Sequence, residues 1–213
     1  MRPYVIRQGD YLTRLAHDHG FDADAVWDHA DNRTVRERSE REILAPGDVL
    51  RLPEPERDDH DLRANTTNTY RAQVPRVRIS IALADESGAI ANERCIVEGA
   101  SPRAEELQTD GDGVLSFRVP LTVREVRVSV PALRLSFPVC VAHLDPMTTP
   151  SGVRARLRHL GYYRAAPTAR SEDRWDEPAL AAAITLFQRA QRLDPTGVMN
   201  DDTRDALRRA HGS

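Results

Sequence analysis

The periodicity of the hydrophobic residues changes twice along the chain, and this change constrains the fold more than any other feature. From Val74 to Val141, apolar and polar residues alternate as they do in half-buried β-strands. From Ser151 onward, apolar residues recur at helical spacing instead. A polar stretch with no apolar periodicity follows Pro53. The sequence therefore predicts a multidomain α+β protein with domains at residues 1–53, 74–143 and 144–213 and a linker at residues 54–73.

The first segment carries signals for a strand, two helices and a second strand. Tyr4–Arg7 predicts the first strand, and Leu12, Leu15 and Ala16 predict a helix that ends at Gly20. Asp24 is predicted to cap the second helix. A final strand at residues 49–52 would pair with the first, so the sequence predicts a small βααβ module.

This segment resembles a LysM module. The matching marks are Tyr4-x-Ile6 before Gly9-Asp10, then Leu12-x-x-Leu15-Ala16, and finally Leu44-x-Pro46-Gly47-Asp48-x-Leu50-x-Leu52-Pro53. The resemblance implies that the module binds N-acetylglucosamine polymers in a shallow groove between the loop after its first strand and the loop before its second. The groove residues that the resemblance implies are Gly9, Asp10, Tyr11, Leu12, Asn32, Ala45, Pro46 and Gly47.

The middle segment contains about six short alternating runs. The acidic–glycine sequence at residues 110–113 lacks the further oxygen ligands and the closing Glu of a calcium loop, so it predicts a hairpin turn. Cys95 and Cys140 lie in apolar runs, and both are predicted to be buried and reduced. The segment resembles a transthyretin-like or carboxypeptidase-regulatory β-sandwich through Thr109-Asp110-Gly111-x-Gly113-x-Leu115-x-Phe117-x-Val119-Pro120. The resemblance implies a domain that spaces, stiffens or docks other parts.

The last segment predicts a compact three-helix bundle. Its first helix would begin at Ser151 as N-cap, and its second would follow Asp176-Glu177-Pro178. The segment resembles the type 1 peptidoglycan-binding domain through Val153-x-x-x-Leu157-x-x-Leu160-Gly161-Tyr162 and Ala182-x-x-x-x-Phe187-Gln188. Most of these marks are predicted core positions. The remaining candidates for contact with a glycan or a stem peptide are Tyr162, Tyr163 and Gln188.

Several classes of function find no support in the sequence. His17 and His19 would point about 200° apart on a helix, so they are not predicted to bind one metal ion. No motif for a nucleophile, a phosphate loop or a metal-ligand set is present, which favours a non-enzyme without metal or cofactor. The formal net charge of −3 argues against nucleic-acid binding. The sequence has no apolar run of ~20 residues and no signal-peptide pattern. It thus predicts synthesis in the cytoplasm without a signal peptide and no membrane insertion.

The order of the three segments resembles that of small accessory proteins associated with the spike of type VI and related contractile injection systems. We therefore expect a non-catalytic protein that binds peptidoglycan or another N-acetylglucosamine-containing glycan through two modules held apart by a β-sandwich. It would be delivered to the periplasm or cell wall, or assembled on an injection apparatus. The alternative is a structural or adaptor component of the injection spike, with spike or tip proteins as partners instead of glycan.

Overall fold

The computed structural model describes residues 1–54, 64–69, 74–85, 87–164 and 174–212, and it contains both helices and strands, as expected for an α+β protein. These residues divide into two compact units. The first unit combines residues 1–15, 22–53 and 144–213, and the second combines residues 16–21 and 54–143. The two terminal segments thus share one unit. Most of the predicted linker, residues 55–63 and 70–73, lies outside the described residues.

The N-terminal segment begins and ends with strands that pair with each other. β1 (Arg2–Val5) runs antiparallel to β2 (Val49–Leu52). Between them lie α1 (Leu12–His19), α2 (Ala23–Asp28) and α3 (Arg33–Arg38). The third helix is additional to the predicted order. The cap of α2 is Asp22 and not Asp24, because the Asp22 carboxylate accepts from the backbone N–H groups of residues 24 and 25.

The second unit contains two sheets that share one core. β3 (Arg76–Ala82) pairs with β8 (Val114–Pro120). A four-stranded sheet has the order β10–β9–β6–β7, in which β6 is Arg94–Glu98, β7 Glu105–Gln108, β9 Glu125–Val130 and β10 Leu135–Cys140. A further short pair joins β4 (Ala84–Asp85) to β5 (Gly88–Ala89). Buried residues of both larger sheets form one cluster, which includes Val97, Leu115, Phe117 and Val128. This arrangement follows from the alternation of apolar and polar residues.

The turn at residues 110–113 does not close a hairpin. It connects β7 to β8, which pair in different sheets. The Asp110 carboxylate accepts hydrogen bonds from the N–H groups of Asp112 and Val114. A Cβ on Gly113 would lie 2.6 Å from the Leu83 carbonyl oxygen. Only glycine therefore fits at this position, where the chain passes from the sheet of β7 to the sheet of β8.

The two cysteines lie in different environments. Cys95 is buried in the core of the second unit, as predicted, whereas Cys140 is exposed. Side chains alternate between the two faces of a strand. On the edge strand β10 this alternation places the neighbouring Val139 against the core and Cys140 outside. The prediction that both thiols are buried is therefore wrong for Cys140.

The C-terminal segment consists of three helices, α4 (Pro150–His159), α5 (Pro178–Ala190) and α6 (Asp201–His211). The N-cap of α4 is Thr149 and not Ser151, because the Thr149 hydroxyl accepts from the Gly152 N–H. Val153, Leu157, Ile184, Phe187 and Leu207 are buried in one cluster, as predicted, whereas Leu160 is only partly buried and packs against it. Residues 165–173, the centre of the predicted α4–α5 loop, lie outside the described residues.

An arginine fixes the chain that enters this helical domain. Arg156 is fully buried, and its guanidinium donates to the carbonyl oxygens of Asp145 and Gly152 at 2.8 and 3.0 Å. Burial lowers the pKa of Arg156 to about 10, so the side chain is still cationic at neutral pH. A Cβ on Gly152 would lie 2.1 Å from the Pro146 carbonyl oxygen. The absence of a side chain at position 152 thus lets residues 145–146 pack directly on α4.

Candidate functional site

The two loops that were predicted to form the N-terminal groove lie beside each other. The Leu12 N–H donates to the Arg41 carbonyl at 3.0 Å, and the Gly47 N–H donates to the Ile6 carbonyl at 2.9 Å. The Thr13 hydroxyl also donates to the Glu42 carboxylate. These contacts join the β1–α1 turn to the loop before β2. The structure therefore brings together the segments that the groove hypothesis requires.

Most of the predicted groove residues are buried. Gly9, Tyr11, Leu12 and Ala45 are all buried, and the Leu12 side chain is fully inside the core. The Asp10 carboxylate accepts from the Tyr4 hydroxyl and the Arg7 N–H at 2.8 and 2.9 Å, which closes the β1–α1 turn. These five residues form the frame of the groove, and their contact with a ligand stays a prediction.

Asn32 is fully buried and joins α2 to β2. Its Nδ2 donates to the carbonyls of Val26 and Arg51, and its Oδ1 accepts from the Arg51 N–H at 2.7 Å. Both backbone polar groups of Arg51 are thereby satisfied by one side chain. The side-chain amide is thus buried and bonded to the backbone, and its contact with a glycan stays a prediction.

The exposed part of the proposed groove is the Pro46-Gly47 turn. Gly47 has a positive φ of 92°, and an added Cβ would meet no atom within 4 Å. Across from it, Arg7 and Gln8 are exposed on the β1–α1 turn. Sequence reasoning missed these two residues, although their position just before Gly9 was a usable signal. Pro46, Gly47, Arg7 and Gln8 form what we call the groove rim.

In the C-terminal domain, Tyr162 is half-buried and packs edge-on against Phe187, with ring centroids 5.4 Å apart. This contact fixes one edge of the Tyr162 ring and leaves part of the side chain accessible. Tyr162 is therefore the most accessible of the three residues predicted for this domain.

Tyr163 lies in a charged cluster that the sequence did not reveal. The residue is 4% exposed, and its hydroxyl donates to the Glu177 carboxylate at 2.7 Å. The guanidinium groups of Arg158 and Arg154 lie 5.0 and 5.9 Å from the ring centroid, and Arg154 also pairs with Glu177 at 2.8 Å. Burial, followed by the hydrogen bond to Glu177, raises the pKa of Tyr163. The i, i+4 spacing of the two arginines on α4 was the available signal.

Gln188 is fully buried and binds the loop between α5 and α6. Its Oε1 accepts from the Gly197 N–H at 2.9 Å, and its Nε2 lies 3.0 Å from both the Val198 carbonyl and the Thr203 hydroxyl. The side-chain amide is thus occupied by the protein itself. Its contact with glycan stays a prediction, and the geometry ranks it below Tyr162.

Within the described ranges, no three His, Cys, Asp or Glu side chains are grouped so that they could hold a metal ion. None of the helices in the part of the chain that the structure describes is long and apolar enough to cross a membrane.

Comparison with known proteins identifies one of the three segments. Residues 152–207 match the family model of the peptidoglycan binding domain. No curated protein and no solved structure matches the chain. The matched range covers all three helices of the C-terminal segment except the first two residues of α4 and the end of α6. The chain therefore contains a type 1 peptidoglycan-binding domain, which supports cell-wall binding.

Proposed function

We propose that this is a non-catalytic protein that binds peptidoglycan through its C-terminal domain and N-acetylglucosamine-containing glycan through its N-terminal module. The observation that carries the proposal is the family match at residues 152–207. The three helices in that range build a buried apolar core, as a folded domain of this family requires.

The surface of the C-terminal domain offers chemistry that suits a peptidoglycan stem peptide and its sugar. The half-buried Tyr162 ring provides an apolar face for a sugar or a methyl group. Arg158 is exposed in the last turn of α4 and offers a cation to carboxylates. We assign the ligand contact to these two side chains. The Tyr163 ring contacts the Arg158 guanidinium at 5.0 Å and helps to hold it in place.

The N-terminal groove supports the second part of the proposal. Backbone hydrogen bonds join its two loops and hold the two sides of the rim together. The carbonyl groups of the exposed Pro46-Gly47 turn can accept from the N–H of an N-acetyl group, and the proline ring can contact its methyl. The LysM assignment itself rests on the sequence motif.

An association with a contractile injection or type VI secretion system is the finer part of the proposal, and it rests on the order of the segments alone. The protein would then reach the periplasm or cell wall with the apparatus, or stay on it as an adaptor that binds spike or tip proteins.

Co-sedimentation with purified sacculi tests the wall-binding proposal. The full chain should pellet with sacculi and be released when a muramidase digests them. Arg158→Ala should weaken retention, while Arg189→Ala, an exposed arginine in the last turn of α5, serves as the matched control. A chain that stays in the supernatant at every sacculus concentration would overturn the proposal.

The adaptor alternative needs a separate experiment in the native cell. A tagged copy should retain spike or tip proteins after the wall polymer has been digested, because such an interface would bury at least ~1,000 Å² of protein surface. Release of the tagged protein by digestion, with no spike protein retained, would exclude the adaptor role.

A further inference from the structure

The segment that leads from α3 to the groove rim is in contact with the peptidoglycan-binding domain. The Thr148 hydroxyl, just before α4, donates to the Arg38 carbonyl at the end of α3 at 2.5 Å. Two residues further along the chain, the Glu40 carboxylate lies 3.7 Å from the Arg208 guanidinium on α6. Both contacts fall inside one compact unit.

These contacts continue directly to the groove rim. Arg38 pairs with Asp48 at 3.1 Å, and Asp48 follows the Pro46-Gly47 turn. The Glu40 carbonyl accepts from the Ile43 N–H, and the Ser39 hydroxyl accepts from the Ala45 N–H. The residues that face the helical domain therefore belong to the same short segment, 38–48, whose turn forms one side of the groove.

The charges on the two sides of this contact are complementary. The helical domain presents Arg208 together with the buried Arg156, and the Glu40 carboxylate favours the charged form of Arg156. Asp145, within the helical domain, also raises the pKa of Arg156, whereas Arg208 lowers it. Glu40 thus supplies part of the counter-charge for a cationic cluster that is itself partly removed from water.

We propose that the peptidoglycan-binding domain positions the N-terminal groove, through Arg208 on Glu40 and Thr148 on Arg38. The two binding surfaces are then one fixed composite and not two modules on a flexible tether. Arg208 and Thr148 are positioning residues, since neither belongs to the groove rim. This inference rests on the proposed glycan function of the groove.

Hydrogen exchange of the full-length protein tests the docking without any ligand. Arg208→Gln should speed amide exchange in residues 39–48, although the substitution is made on α6. Arg208→Lys should retain the slower exchange, because it keeps the charge. Glu37→Gln is the control on the N-terminal side, since Glu37 is exposed and pairs only locally with Arg33 in the described contacts. Thr148→Val, compared with Thr148→Ser, tests the second contact independently.

The expected size follows from the exposure of the pair. Arg208 and Glu40 side chains are about half exposed, so the contact resembles a surface ion pair. Loss of such a pair should weaken chito-oligosaccharide binding by about twofold to fivefold. A Glu40→Gln/Arg208→Gln double variant should bind no more weakly than the worse single variant.

The outcomes separate this inference from the proposed function. Unchanged exchange in residues 39–48 of Arg208→Gln and of Thr148→Val would overturn the positioning role. Faster exchange throughout the chain would also overturn it, because that result reports general destabilisation. If exchange rises only in residues 39–48 but the unmodified protein binds no chito-oligosaccharide, the docking stands and the glycan function of the groove fails.

Discussion

Replacement of Asn32 by Ala tests whether this residue is a ligand contact or a structural support. The side chain makes three hydrogen bonds to the backbone, two of them to Arg51. Arg51 lies opposite Pro3 in the β1–β2 register. The N–H and C=O of Arg51 both bond to Asn32, so they point away from β1, and Asn32 takes the place of a third strand beside β2.

The magnitude follows from the groups that lose their partners. Each hydrogen bond contributes about 0.5–1.5 kcal/mol net, and a buried group left without a partner costs more. Asn32 is fully buried, so water does not replace its amide without rearrangement. We expect Asn32→Ala to lower the free energy of unfolding of the N-terminal segment by about 3 kcal/mol. For a domain of this size, that corresponds to a fall in Tm of more than about 10 °C.

Tryptophan fluorescence provides the assay. The chain has 2 tryptophans, Trp27 on α2 and the exposed Trp175 before α5. In a Trp175→Phe background, Trp27 alone reports urea unfolding of the N-terminal segment. Asp31→Ala is the matched control, because Asp31 is the exposed neighbour of Asn32 and pairs only loosely with His29 at 3.8 Å.

A second substitution sharpens the test. Asn32→Asp keeps the acceptor for the Arg51 N–H but places an oxygen against the Val26 and Arg51 carbonyls, so it should destabilise at least as much as Asn32→Ala. An Asn32→Ala protein with unchanged stability and weakened chito-oligosaccharide binding would refute this reasoning. That result would indicate that Asn32 contacts the ligand directly.

Two further predictions concern single side chains. In the native protein a thiol reagent should modify the exposed Cys140 quickly and the buried Cys95 slowly, since burial also raises the pKa of Cys95; equal rates would contradict the placement of β10. Burial, with the nearby Arg156 and His159, lowers the pKa of His211 from 6.5 to about 4. Because the unfolded chain then binds the proton more readily, stability should be fully present above pH 6.5 and fall by roughly 1 kcal/mol as the pH drops toward 4, after allowance for solvent screening. His211→Gln should remove that part of the acid sensitivity in pH-dependent urea titrations, and an unchanged pH profile would contradict it.

Much of the fold could be predicted because apolar periodicity reports burial directly. Val153 and Leu157 on α4, and Ile184 and Phe187 on α5, lie at helical spacing, and all four are in the core of the helical domain. The alternation around Val126 and Val128 likewise predicted a strand with one buried face. These signals are local, so they do not depend on where the rest of the chain lies.

The predictions that failed depend on contacts between distant residues. Cys140 lies in an apolar run, but which face of β10 it occupies is decided by pairing with β9. The turn at Asp110 has hairpin sequence, yet the partner of β8 is β3, more than 30 residues earlier. Asn32 and Gln188 matched binding motifs, and their contact with glycan stays a prediction; the sequence did not reveal that each also bonds to the backbone of a neighbouring segment. A family motif conserves structural polar residues as well as ligand contacts, so the motif alone does not separate the two roles.

The union of the two ends in one unit changes how binding to a polymer should be understood. Two modules on a flexible tether gain affinity through an effective concentration that the linker length sets. Surfaces held in one unit gain it because their relative orientation needs no further ordering when the ligand binds. The contacts of Arg38 and Glu40 with the helical domain favour the second mechanism. If the two segments were separated, binding affinity for the polymer would fall. The helical domain would also be destabilised, since Arg156 and Arg208 would lose the Glu40 carboxylate as a counter-charge.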